Sequence, residues 1–147
     1  MDNLHIHDFC RDTAKALSKL YANFPQKIIL YVEDIAGPDT PDEFGLHSSR
    51  FQAGFHTLLW LTETDYIQYL QAIRQEAIED ATLSHRCFTF LSGPDDHSKK
   101  ALAGEENVTR PTLNRRIDTL REHLNNMSSD KLTALVLRYM EESRQFQ

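Results

Sequence analysis

A chain of 147 residues with 40% hydrophobic and 26% charged side chains has the size and composition of one globular domain, which excludes a disordered or fibrous protein. No apolar run approaches the roughly 18 residues that a membrane span needs, and the opening "MDNLHIHDFC" lacks the apolar core of a secretory signal. The net charge of −6 is uneven, −8 over residues 1–98 and +2 over residues 99–147, so only the last third offers the basic surface that phosphate binding draws on.

In chain order, Ile6, Phe9, Cys10, Thr13, Ala14, Leu17, Leu20, Tyr21 and Phe24 recur at steps of three and four, which predicts an amphipathic helix from Leu4 to Phe24 that Pro25 ends. "KIILYV", Lys27 to Val32, is short, apolar and β-branched, as a buried strand is. "EDIAG" predicts one helical turn closed by Gly37. "GPDTPDEFG", Gly37 to Gly45, has two prolines, two glycines and three acids, the composition of a loop. Ser48 and Ser49 are N-cap candidates for a helix with Phe51, Phe55, Leu58 and Thr62 on one side and Ala53, His56, Thr57 and Trp60 on the other or at the edges.

"DYIQYLQAI" and "EAIEDATL" alternate as two antiparallel strands joined near Arg74 and Gln75, although Ala, Gln and Glu keep a helix over residues 71–80 in competition. "SHRCFTFL" predicts a short helix opened by Ser84. Residues 92–109 are polar and read as a linker. Leu113, Ile117, Leu120 and Leu124 then form the stripe of a helix started near Pro111. "NNMSSD" breaks it, and Leu132, Leu135, Val136, Tyr139 and Met140 mark a second helix, which makes an antiparallel helical hairpin over residues 110–147.

The order helix, strand, helical turn, loop, helix, strand, strand, helix over residues 4–91 resembles a winged helix-turn-helix domain. The resemblance is carried by "ILYVEDIAG", "FHTLLWLTETDYI" and "DATLSHRCFTFL", with Leu58, Leu61, Asp65, Tyr66 and Ile67 at the helix end and wing entry and Thr82-Leu83-Ser84 at the following helix start. It is also similar in style to bacterial proteins of unassigned function. It implies an α+β, mostly α fold: a winged-helix-like domain (residues 1–91), a linker (92–109) and the hairpin (110–147).

The resemblance implies DNA reading by the helix at residues 48–62 and by the wing, with Arg50, Gln52, His56, Thr57 and Arg74 as contacts, supported by Arg115 and Arg116 on the hairpin. Two features oppose it. Asp39, Asp42 and Glu43 stand just ahead of the helix N-terminus where phosphate would approach, and the wing arginine has Glu76, Glu79 and Asp80 nearby. Trp60 lies nearly opposite Phe51, a position that marks either protein contact or packing under the terminal helices. The Leu113–Ile117–Leu120–Leu124 stripe needs a cover, either the winged-helix body or a second subunit.

"HIHDFC" places two histidines and a cysteine together, but positions two apart do not share a helix face. The acidic loop lacks calcium-binding spacing. No phosphate loop, nucleophile elbow or CxxC is present. Cys10 and Cys87 read as buried free thiols of a cytoplasmic protein. The expectation is therefore a non-enzymatic, cofactor-free and metal-free homodimer acting through protein contact at Trp60 and the hairpin, with a regulator of double-stranded DNA as the alternative and an enzyme third.

Overall fold

The computed structural model describes residues 4–95 and 114–146. Among them the fold is α+β and mostly helical. Helix α1 (Leu4–Asn23) buries Cys10, Ala14, Leu17 and Leu20 along one face. Strand β1 (Ile28–Tyr31) leads directly into α2 (Val32–Ala36), which Gly37 closes at a φ of 92° that favours glycine. Helix α3 (Ser49–Glu63) begins at Ser48, whose hydroxyl accepts the amide of Phe51; the loop expected before it is there.

The stretch after α3 is extended, not helical. Strands β2 (Ile67–Gln68) and β3 (Gln71–Ile73) both pair antiparallel with β4 (Ala77–Leu83), in the register Ile67↔Leu83 and Ile73↔Ala77. β1 pairs with the other side of β4, so β4 is central. The helical propensity of residues 71–80 loses because Ala77, Ile78 and Ala81 are completely buried in strand pairing. Ser84 then caps α4 (His85–Ser92) by accepting the amide of Cys87.

The last two helices are α5 (Arg116–Asn126) and α6 (Ser129–Arg144), the second capped by Ser128. α5 starts later than the periodicity suggests. Asp95 donates its amide to the Asn114 carbonyl and Arg116 donates to Gly93, which holds residues 114 and 115 against the end of α4. Leu113, expected on this helix, lies outside the described residues. Ile117 and Leu120 are buried and Leu124 packs against the same core.

That core is continuous. α1 runs through it, with α3, α5 and α6 packed around, and Ile117, Leu120, Leu132, Leu135 and Val136 join Leu17, Leu58 and Leu61 in one cluster. The hairpin stripe is thus covered by α1 of its own chain, and a second subunit is not needed to bury it. No helix among the described residues is long and apolar enough to cross a membrane.

Gly54 sets the approach of α2 to α3. A Cβ there would stand 2.8 Å from the Ala36 Cβ and 3.3 Å from Val32 Cγ1, so any side chain forces the helices apart. Gly54→Ala is expected to destabilise the protein by about 1–3 kcal/mol despite its better helix propensity, read as a lower midpoint in urea unfolding. An unchanged midpoint would refute the close approach.

Candidate functional site

The helix expected to read DNA presents few free donors. Arg50 turns back onto α1, donating 2.8 and 2.6 Å hydrogen bonds to the two carboxylate oxygens of Asp12, with Asp8 3.5 Å from its Nε. Asp12 is 1% exposed. Burial pushes its carboxyl above the ordinary carboxylate value even with the guanidinium in contact, while the hydrogen bonds from Arg50 to Asp12 raise the arginine further. Periodicity alone placed Arg50 outward; its partner is 38 residues away, so no local signal gave it away.

The remaining expected contacts are scattered. Gln52 donates to the His47 carbonyl at 2.8 Å. Thr57, expected outward, is buried and donates to the Ala53 carbonyl, because this side of α3 faces the body. His56 is exposed. Arg74 is exposed at the tip of the β3–β4 turn with a φ of 51°. Arg115 is exposed at the start of α5. Arg116 does not form a basic back to that helix: it donates to the Phe90 carbonyl at 2.8 Å, and its guanidinium lies 4.0 Å from the Phe90 ring centroid.

The acidic loop is organised by a residue the sequence did not single out. His47 is buried and stacks on Phe51 with ring centroids 3.9 Å apart. One ring nitrogen meets Asp39 at 2.9 Å and the other meets Glu76 from the β3–β4 turn. Asp39 also accepts the Ser48 amide at 3.0 Å. Asp42 accepts the amides of Phe44 and Leu46. The loop carboxylates Asp39 and Asp42 are therefore engaged within the protein, and Asp39 occupies the entrance to α3. Hydrogen bonds to Glu76 and then to Asp39 raise the His47 pKa, and the Ser48 amide and then His47 lower that of Asp39. A signal existed in the histidine closing an acidic loop, but its second partner sits 29 residues on.

Trp60 lies on the other side of α3, 39% exposed. Its ring meets Phe9 edge-on at 5.3 Å and overlaps Tyr66 at 6.2 Å, so it packs against α1 on one side and stays part-exposed on the other. Trp60, Thr64, Tyr66 and Arg86 form one wall of an open groove, and Leu137, Met140, Glu141 and Arg144 of α6 form the other. Leu137 is 45% exposed. The walls are held together from behind. Arg86 donates to the carbonyls of Ser143 and Thr64, and the Tyr66 and Ser143 hydroxyls bond at 2.7 Å. The groove brings Trp60, Tyr66, Leu137 and Met140 together with the charged side chains of Arg86, Glu141 and Arg144.

No family model, curated protein or solved structure matches the chain.

Arg50→Ala is expected to cost about 3–5 kcal/mol in urea unfolding, because it leaves Asp12 buried and unpaired. Arg50→Lys should recover only part, since an ammonium cannot make the two parallel bonds. A loss below about 1 kcal/mol, the range of an exposed pair, would overturn this assignment. For His47 the folded pKa is raised, so its ion pairing stabilises below the unfolded value of about 6.5 and fades as pH rises through the folded value. The stability gap between the protein and His47→Gln should accordingly be wider at about pH 6 than at about pH 9; a gap that widens with pH refutes the clasp.

Proposed function

We propose that this chain is a non-enzymatic protein of winged-helix type that works through protein contact at the Trp60 groove. The winged-helix reading is supported by the element order α1, β1, α2, α3, β2/β3, β4 and by the central place of β4 between β1 and the β2/β3 segment. The observation that carries the contact reading is the state of α3. Its sole cation, Arg50, is bound to Asp12 and Asp8, while its sole tryptophan opens onto an apolar groove.

A domain that reads DNA needs cations and donors aimed outward from this helix and phosphate contacts at its start. Here Asp39 takes the amide at the start of α3, and the helix face leaves His56 as its exposed polar ring. The observation favouring DNA is Arg74, exposed at the tip of the hairpin that would be the wing.

Fluorescence anisotropy with a mixed-sequence duplex at low salt separates the two. The contact reading expects a flat titration. Binding that falls steeply with salt and is lost in Arg74→Glu would replace it with the DNA reading. In producing cells, a photo-reactive side chain at position 60 should give discrete protein adducts, and one at exposed Glu33 none. Absence of adducts at position 60 counts against the groove.

A further inference from the structure

The outward face of α6 has a pattern that the core does not explain. Asp130, Ala134, Leu137, Glu141 and Arg144 are all exposed and follow one another at steps of four, three, four and three. That is the spacing of a stripe along one side of a helix. The buried face of the same helix is already occupied by Leu132, Leu135, Val136 and Tyr139, so the second stripe is not part of the monomer's packing. Its centre is apolar, and its outermost residues, Asp130 and Arg144, carry opposite charges, with Glu141 one step inside Arg144.

We infer that this face binds a second copy of the chain, with the two α6 helices antiparallel and related by a two-fold axis at Leu137. This rests on the protein-contact reading of the groove and names its occupant. In such a pair, a residue a given number of places after Leu137 faces the residue the same number of places before it on the other copy. Arg144 is seven places after and Asp130 seven before, so each Arg144 meets the Asp130 of the partner subunit about 10 Å from the axis. Ala134, small enough to let the helices approach, meets the partner's Met140. Glu141 meets the partner's Thr133, and no like charges fall opposite one another.

The groove completes the fit. It lies beside the C-terminal half of α6, which in an antiparallel pair receives the N-terminal half of the other copy. Leu137 and Ala134 of the partner subunit therefore arrive against Trp60 and Met140. An isologous contact uses the same patch twice and so must be complementary to itself; the placement of Asp130, Leu137 and Arg144 meets that condition. In the single chain these end charges are lightly held. Asp130 is 3.4 Å from His7 Nε2 with a side chain 90% exposed, and Arg144 is paired with Glu141 on its own helix with a side chain 74% exposed. Both are available to re-pair across the axis.

The full chain is expected to scatter light as a dimer at micromolar concentration. Leu137→Asp should make it monomeric with an unchanged circular dichroism spectrum. Asp130→Arg and Arg144→Asp should each weaken the dimer by about tenfold or more, and the double variant D130R/R144D should restore it. The restored pair is the decisive reading, because a merely structural role would make two reversals worse than one. Leu137→Cys, placed on the axis, should oxidise to a disulfide-linked dimer, whereas the parent protein, whose Cys10 and Cys87 are buried, should not. A single-chain mass together with no cross-link at position 137 overturns the inference. If adducts at position 60 persist in that case, the contact reading stands with a different partner; salt-steep duplex binding would instead remove the contact reading itself. A dimer in which D130R/R144D stays as weak as the single variants overturns the antiparallel register.

Discussion

The carboxylate of Asp12 is nearly inaccessible to water at the place where α1, α2 and α3 meet, and the arrangement of the body follows from the need to neutralise it. Its Oδ2 lies 3.6 Å from where a Gly54 side chain would begin, an ordinary contact distance. Arg50 supplies the counter-charge in two parallel bonds. Against an apolar replacement such a pair contributes little net stability, but any slide of α3 along α1 would leave a dry, unpaired charge. The pair therefore fixes the orientation of α3, and with it the direction in which Trp60 faces.

Arginine is used again at several places where distant parts of the chain meet. Arg86 joins the end of α3 to the end of α6. Arg116 binds α5 to α4 through the Phe90 carbonyl and ring. Arg121 holds α5 to α1 through Ser18, with its guanidinium over Tyr21. Arg138 reaches Asp95, which is 1% exposed. A guanidinium suits this work because it gives several donors in fixed geometry while its flat face packs on rings. Composition counts Arg116, Arg121 and Arg138 among the positive charges of the last third of the chain. The fold turns Arg116 and Arg121 back toward its own carbonyls and aromatic rings.

What could be read from the sequence was whatever depended on neighbours along the chain. Ser48, Ser84 and Ser128 announce their helices by local capping chemistry, and the stripes of α1 and α6 are visible in their periodicity. Gly37 marks its turn by conformational need. The site depended on pairs remote in sequence. Arg50 with Asp12, His47 with Glu76 and Tyr66 with Ser143 are separated by 38, 29 and 77 residues, and no spacing rule connects them. Trp60 lies between these cases: its place on α3 was legible, but its contact with Phe9 required knowing where α1 would lie. The hairpin stripe was legible as apolar, but whether α1 or another copy covered it was a tertiary question.

Salt bears on the remaining choice of partner in opposite directions. Each chain carries a net charge of −6, so two copies repel at long range, and the repulsion is screened within about 8 Å at physiological ionic strength. A contact between them must therefore be apolar at its centre, where salt does not weaken it, and must confine its charges to opposed pairs at the ends. In the proposed dimer Leu137 and Trp60 would provide the first property, and Asp130 and Arg144 the second. Nucleic acid presents the reverse case, since its affinity comes from released counterions and collapses as salt rises. Among the described residues, Arg50, Arg86, Arg116 and Arg121 are held by the protein's own carboxylates and carbonyls, while Arg74 and Arg115 stay exposed. In the proposed dimer, modest salt would screen the repulsion between two chains of net charge −6 and leave the apolar centre intact, whereas it would weaken any contact of exposed cations such as Arg74 with a polyanion, because less is gained from released counterions.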